Sequence, residues 1–335
     1  MPVTSLLKVE FSPQGVACGS LEAIERAAAI LTDGGLVAIP TETVYGLAGH
    51  ALQEKAVSLI FQAKGRPSFN PLIVHVRDVS QAKGLVADWS ASATKLTEAF
   101  WPGPLTIVLP KLPGLIPDRV TAGGQTVALR VPSHPVALQL LRAIDFPLAA
   151  PSANRSEALS PTTAEHVWKS LEGRVDLILD AGPTGQGIES TVVDLSGPPR
   201  ILRPGPVSSA EIEAIIGPLE GNSNEGDETL RSPGMLARHY APRAPLRVLD
   251  DPASIRQSDI KKKGVVWIAF DGEDSLPEVA TIFLPKQPSE YRRSLYAALH
   301  QADEMGATLI LVSRPPEGPD WEGVRDRLSR AEWRQ

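Results

Sequence analysis

The chain has 335 residues, 42% of them apolar and 21% charged, with a formal net charge of −6; that is enough for two cores and lacks the general basic character that draws nucleic acid. One cysteine, Cys18, excludes an internal disulfide and any C-x-x-C zinc or redox motif, so a reducing, cytoplasmic setting is expected. The opening MPVTSLLKVEF has no basic region leading into a long apolar run, and no window approaches the roughly 18 apolar residues of a membrane span, so neither a signal peptide nor a membrane role is expected.

Taken in order, the elements alternate as in an α/β protein. Ser20 is placed as the cap of a helix through Thr32, with Leu21, Ile24, Ala28 and Leu31 on one face and Gly34 closing it. A strand over 36–39 stops at Pro40 and opens into a polar loop carrying Thr41, Glu42, Thr43 and Tyr45, where Gly46 and Gly49 permit tight backbone. In the helix that follows, Val57, Ile60 and Phe61 fall at helical spacing. It ends at Gly65, so Lys64 and Arg66 straddle its exit. Asn70 and Pro71 then lead into a strand over 72–76, in which Leu72, Val74 and Val76 alternate with Ile73 and His75. Two cations, two hydroxyls, an amide and an imidazole where strands end suit an anionic ligand with several oxygens, such as a nucleoside triphosphate. Taken singly, Lys64 and Arg66 equally suit a helix dipole, and His75 equally reads as a half-buried strand histidine.

A helix over 91–100 is stopped by Trp101-Pro102-Gly103-Pro104, and a strand over 105–109 follows. In the strand over 126–131, Thr126, Ala128 and Arg130 share one face. Arg130 there needs a partner, either a carboxylate on a neighbouring strand or the carboxylate of a ligand. A short strand over 146–150 breaks at Pro151 into Ser152-Ala153-Asn154, small polar residues that admit a phosphate or ribose and also form ordinary turns. Ser160, with Pro161 behind it, is placed as a helix cap, Thr162 with Glu165 forms a competing capping box, and the same helix N-terminus suits an anion.

After a strand over 176–180, the glycine run over 182–187 lacks G-x-G-x-x-G spacing and leads into another strand (190–195) rather than a helix, so it is no dinucleotide fingerprint. The chain has no G-x-x-x-x-G-K-[ST], H-E-x-x-H or G-x-S-x-G, so any ATP is bound without a Walker loop. A strand over 201–203 and a helix begun by Ser208 with Glu211 and ended at Gly217-Pro218 complete this half. Residues 219–245 read as a linker, yet Met235, Leu236, His239 and Tyr240 are more than a passive tether needs, so the segment is expected to fold back over the first domain. Strands over 246–249, 265–270, 281–284 and 308–312, a helix over 291–305 with Leu295, Leu299 and Ala302 inward, and a final helix from Trp321 make a smaller α/β domain. Lys261 to Lys263 reads as a solvated turn.

PTETVYGLA (40–48) followed by KGRPSFNPLIVHV (64–76) resembles the signature of the YrdC-type threonylcarbamoyl-AMP synthase family. FWPGPLTIVL (100–109), TVALRVPSHP (126–135), PLAAPSANRSEALSPT (147–162), GIESTVVDL (187–195) and ILRPGPVS (201–208) continue the match, and SPGMLARHYAPRAPL (232–246) is similar to the linker of its two-domain form. The resemblance implies a YrdC-like twisted, open, mixed sheet with helices over 14–208, a linker over 219–245 covering the active site, and a Rossmann-like α/β domain over 246–335. It implies a nucleotidyltransferase that makes threonylcarbamoyl-AMP and pyrophosphate from L-threonine, bicarbonate and ATP, with Mg²⁺ bound through the ATP phosphates. Downstream transferase proteins then pass the threonylcarbamoyl group to tRNA, which this chain meets only indirectly. Carried over residue by residue, threonine falls to Thr43, His75, Arg130, the Ala150 backbone and Ser190. ATP falls to Lys64, Arg66, Asn70, Thr126, Ser152, Asn154, Ser160, Arg203 and Tyr240, with Lys64 and Arg66 supplying charge at the triphosphate. Where similar linkers read GMKxxHYAP, Leu236 replaces the lysine. Two rivals share the fold. One is a double-stranded RNA-binding module without catalysis; the other is the carbamoyl-transfer domain of hydrogenase maturation factors, whose cysteine-rich zinc fingers a chain with one cysteine cannot build.

Overall fold

Among the described residues two large sheets organise the molecule, ten strands in the first and four in the second. The computed structural model describes residues 3–12, 15–17, 20–220, 240–250, 263–274 and 279–332. The first sheet draws on β1 (Ser5–Lys8), β4 (Val37–Ile39), β5 (Gly46–His50), β6 (Ile73–His75), β7 (Leu105–Pro110), β8 (Thr126–Arg130), β9 (Leu148–Ala149), β10 (Leu177–Asp180), β11 (Thr191–Asp194) and β12 (Arg200–Arg203), and a separate short hairpin pairs β2 (Phe11–Ser12) with β3 (Gly15–Val16). Its order is β1-β10-β4-β5-β9-β6-β8-β7-β11-β12. Parallel pairs (β1 with β10, β10 with β4, β6 with β8, β7 with β11) mix with antiparallel ones. The helices are α1 (Leu21–Thr32), α2 (Glu54–Lys64), α3 (Val79–Lys83), α4 (Ala91–Phe100), α5 (Pro135–Arg142), α6 (Ala164–Leu171) and α7 (Ser209–Ile216).

The second sheet, β13 (Leu246–Leu249), β14 (Val265–Phe270), β15 (Ala280–Leu284) and β16 (Leu309–Ser313), is wholly parallel in the order β13-β16-β14-β15. Its central strand VVWIAF is buried along its whole length, as a parallel strand covered on both faces must be. The long helix α8 (Pro288–Glu304) buries Tyr291, Leu295, Leu299 and Ala302 against it, and α9 (Glu322–Ala331) buries Val324, Leu328 and Ala331.

Local chemistry accounts for most of these limits. Gly65 ends α2 in the left-handed conformation, φ 62°, and Arg66 N–H returns to the Phe61 carbonyl. Ser208 and Glu211 cap α7 reciprocally. Three expectations need correction. Ser20 does not cap α1 with its side chain; its Oγ accepts from Glu10 N–H, and the buried face is Ala23, Ile24, Ala27 and Leu31, with Leu21 exposed. Neither Ser160 nor Thr162 caps α6, because the helix starts later and Thr163 accepts from His166 N–H. The strand β5 was expected to be loop. A Cβ on Gly49 would lie 3.1 Å from both Ile60 and Leu36, so this glycine serves close packing of α2 on the sheet rather than a turn. Cys18, Met235, Leu236, His239, Lys261 and Lys262 lie outside the described residues.

Candidate active site

Strand register builds one wall of a cavity. β6 and β8 run parallel with His75 opposite Arg130, and Ala150 N–H donates to the Ile73 carbonyl, so the ends of three strands meet. The Thr41–Tyr45 loop closes over them: Arg130 Nη1 donates to Thr43 Oγ1 (2.9 Å), Nη2 to Glu42 Oε1 (2.7 Å) and Nε to the Gly103 carbonyl (3.2 Å). Glu42, a loop carboxylate, is thus the protein partner of Arg130. Glu42 is held in turn by Ser133 N–H (3.0 Å). His75 is almost fully buried, and burial together with the nearby Arg130 pulls its pKa down to about 3, so it is neutral at pH 7. Its Nδ1 has no hydrogen-bond partner. Buried polar atoms are rarely left so, and a ligand group is the natural complement.

The opposite wall is cationic. Arg66 spends Nε and Nη2 on the Asn70 carbonyl and Oδ1 and the Pro71 carbonyl, which leaves Nη1 without a partner among the described residues. Lys64 is buried and donates to the carbonyls of Ser152 and Asn154, so it shapes that loop from behind. Burial lowers the Lys64 pKa well below its ordinary value, with Arg66 adding to it, and lowers that of Arg66 to about 10. Cations held at such a cost, with too few carboxylates to answer them, favour an anionic ligand. Arg203 donates through Nη2 to Ser190 Oγ (3.1 Å) and through Nε and Nη2 to the Ser190 carbonyl, and Ser190 Oγ also meets Thr106 Oγ1 at 2.7 Å.

The cavity itself is lined by Thr43, His75, Arg130, Ala150 and Ser190, all five residues expected for threonine, and by Arg66, Ser152, Arg203 and Tyr240 of the nucleotide set. The other five stand elsewhere. Lys64, Asn70 and Asn154 lie just behind the wall, Asn154 with an unpartnered Oδ1. Ser160 is fully buried and donates to Glu189. Thr126 pairs with Pro110 at the other end of β8, about 13 Å of strand from Arg130. The cavity volume is about 40 Å³. That holds a few waters and falls far short of the roughly 300 Å³ or more of a ligand pocket, so the space as it stands is too narrow for a nucleotide. Tyr240, 2% exposed, lines this space and sits at φ 61°, a conformation a bulky residue adopts only under constraint.

Glu189 lies within GIESTVVDL (187–195) but carries no role in the resemblance. Its carboxylate lines the cavity and accepts from Arg327 Nε (2.6 Å), from Tyr296 OH (3.2 Å) and from Ser160 Oγ. Burial pushes its pKa up, and Arg327, Arg203 and Ser160 together outweigh that, holding it below the usual carboxylate range. The glycine run beside it is structural. Tyr45 OH donates to the Gly182 carbonyl (2.7 Å), and a Cβ on Gly187 (φ 76°) would lie 2.5 Å from the α8 backbone.

Residues 29–205 match the family model described as Telomere recombination (Sua5, yciO and yrdC), and residues 207–332 match that of the threonylcarbamoyl-AMP synthase C-terminal domain. The chain is 42% identical over 320 residues to the threonylcarbamoyl-AMP synthase of Bacillus subtilis (strain 168), covering 92% of each chain. It is 40% identical over 323 residues to that of Pyrococcus abyssi, covering 92% of this chain and 93% of the other. The crystal structure of P. abyssi Sua5 complexed with L-threonine superposes with a TM-score of 0.88 at 38% identity, covering 98% of this chain and 97% of the other. Sequence motifs, both sheets and these similarities agree: the chain belongs to the threonylcarbamoyl-AMP synthase family, in its two-domain form.

Proposed function

We propose that this enzyme joins L-threonine, bicarbonate and ATP into threonylcarbamoyl-AMP, with pyrophosphate released, at the cavity between the two walls. The observation that carries the reading is the meeting, around one cavity, of a guanidinium suited to a carboxylate (Arg130), a neutral buried imidazole (His75) and two further guanidinium groups (Arg66, Arg203). The threonine complex of the P. abyssi relative supports the amino-acid half. Arg130 takes the threonine carboxylate, with Thr43, His75, Ser190 and the Ala150 backbone holding the rest. The amine nitrogen adds to the carbon of CO₂, or of bicarbonate with loss of hydroxide, and gives up a proton. An oxygen of the resulting carbamate then attacks the α-phosphorus of ATP, and the bond to the pyrophosphate oxygen breaks.

Such a displacement needs alignment and charge neutralisation more than a covalent nucleophile. Arg66 and Arg203 supply the charge, Lys64 and Asn70 hold the surrounding loops, and Ser152, Asn154 and Ser160 complete the nucleotide side. A nucleotide that also reaches Thr126 has to run the length of β8. Among the described residues no three metal-binding side chains are gathered, which suits a Mg²⁺ carried on the triphosphate, where it neutralises charge. Carbamates and acyl-adenylates hydrolyse, so water must be kept out, and we read 219–245 as the linker that does so through Tyr240, between a catalytic unit at 14–208 and a second unit at 246–335. Product passes to transferase proteins that modify tRNA. No helix among the described residues is long and apolar enough to cross a membrane; a cytoplasmic site suits this chemistry.

The test is incubation of the purified protein with ATP, bicarbonate and labelled threonine. An adenylated carbamoyl-threonine, formed with pyrophosphate in equal amount, is the expected result. Pyrophosphate release indifferent to threonine would overturn the reading.

A further inference from the structure

The second domain reaches the wall of the cavity through side chains of both its helices, Arg327 and Tyr296. Arg327, on α9, is 1% exposed. Its Nε donates to Glu189 Oε2 (2.6 Å), its Nη1 to the Pro204 carbonyl (3.0 Å), and its guanidinium lies 5.1 Å from the centre of the Tyr240 ring. Glu189 and Tyr240 both line the cavity, and each is chain-adjacent or bonded to something else that does: Ser190 follows Glu189, and Arg203 Nη1 meets Tyr240 OH at 3.3 Å. The same segment is gripped from both C-terminal helices. Tyr296 of α8 donates to Glu189, Arg292 Nη2 to Gln186 Oε1 (2.7 Å), and a Cβ on Gly323 of α9 would lie 2.8 Å from Ile188.

We propose that Arg327 is a positioning residue for ATP, fixing the Glu189 carboxylate and the Tyr240 ring so that Arg203 faces the nucleotide, and that the second domain is thereby part of the active site. The proposal rests on the reading that this cavity takes ATP. A merely structural tie would lower the amount of folded protein and leave substrate requirements alone. A positioning role splits them, because Arg327 reaches the Tyr240 ring directly, meets the threonine set only at one remove through Ser190, and touches neither Arg130 nor Thr43.

Three variants test this: Arg327→Met, Arg327→Lys, and the double variant Glu189→Gln with Arg327→Met. The double variant removes the buried Glu189 carboxylate, which loses its main cation in the single variant and destabilises it. Melting temperature and the KM values for ATP and for threonine are measured on each. Arg327→Met is expected to raise the KM for ATP about tenfold, the size of a contact coupling, and to leave that for threonine within about twofold. Arg327→Lys, which keeps the charge, recovers most of the loss. The double variant melts near the wild type and keeps the ATP defect. Folded variants with an unchanged ATP requirement, or with both KM values raised alike, overturn the proposal. So does failure of all the variants to fold, which assigns Arg327 to the fold alone. A wild-type protein without threonine-dependent pyrophosphate release overturns the functional reading instead; calorimetric affinity for a non-hydrolysable ATP analogue then still tests Arg327.

Discussion

The two ends of the cavity are built differently. At the Arg130 end every holding contact comes from the first sheet and its loops: Thr43, Glu42 and Gly103 bind the guanidinium, and β6 sets His75 beside it. At the Arg203 end the wall is shared, since Glu189 and Tyr240 are held by Arg327 and Tyr296 from the second domain. The first end is fixed by hydrogen-bonded register and needs little else. The second depends on two packed units keeping their relation, so a change at the domain seam is expected to disturb that end first.

The sharpest break between the ends comes from Arg66→Ala. If Arg66 neutralises the reacting phosphate as proposed, its loss should cost on the order of 10²- to 10³-fold in kcat/KM for ATP. The Asn70 Oδ1 and the Asn70 and Pro71 carbonyls also lose their donor, so the melting temperature should fall. Retained turnover at wild-type rate would take Arg66 out of the site. Arg130→Ala is the complement. A charge-assisted bond is worth roughly 1.5–3 kcal/mol, so the KM for threonine should rise about 10- to 100-fold with that for ATP within about threefold. A threonine requirement unchanged by Arg130→Ala, or an ATP requirement raised as much, would erase the distinction drawn between the ends.

What the sequence disclosed follows the same division. The period of two in β8 places Arg130 on a face where it needs a partner; the protein carboxylate comes from Glu42 in a loop rather than from a neighbouring strand, and the guanidinium also lines the cavity. Gly65 and the Ser208–Glu211 pair were readable because caps are local. Ser160 was misread as a cap because a hydroxyl four residues before a helix looks the same whether it bonds backbone or Glu189, which stands 29 positions on. The Glu189–Arg327 pair spans 138 positions, and nothing local marks it. One signal was available. In EGVRDRLSRA the apolar residues Val324, Leu328 and Ala331 define the inward face, and Arg327 falls on it while Arg325 does not. An arginine on an apolar stripe asks for a buried carboxylate.

The smallest expected effect concerns the seam between the domains. His166 of α6 stacks on His300 of α8, ring centres 3.7 Å apart, with Lys169, Glu165 and Glu304 around them and Asp303 near His300. Burial, then the neighbouring His300, pulls the His166 pKa down to about 4; burial lowers His300 too. A histidine whose pKa is lower folded than unfolded leaves the unfolded chain to bind protons first as pH falls. Its contribution to stability is therefore present above about 6.5 and is lost on acidification towards 4. His166→Phe keeps a ring on His300 and removes one titrating group, so the fall in melting temperature between pH 6.5 and 4 should shrink by a few degrees. The remaining slope belongs in part to His75 and His134, lowered to about 3 and about 4. If the shared wall depends on the seam, mild acid should also raise the ATP requirement of the wild type before the threonine requirement, and His166→Phe should delay that rise. An acid profile identical in both proteins, for melting and for ATP alike, would mean that the seam's protonation has no hold on the nucleotide end.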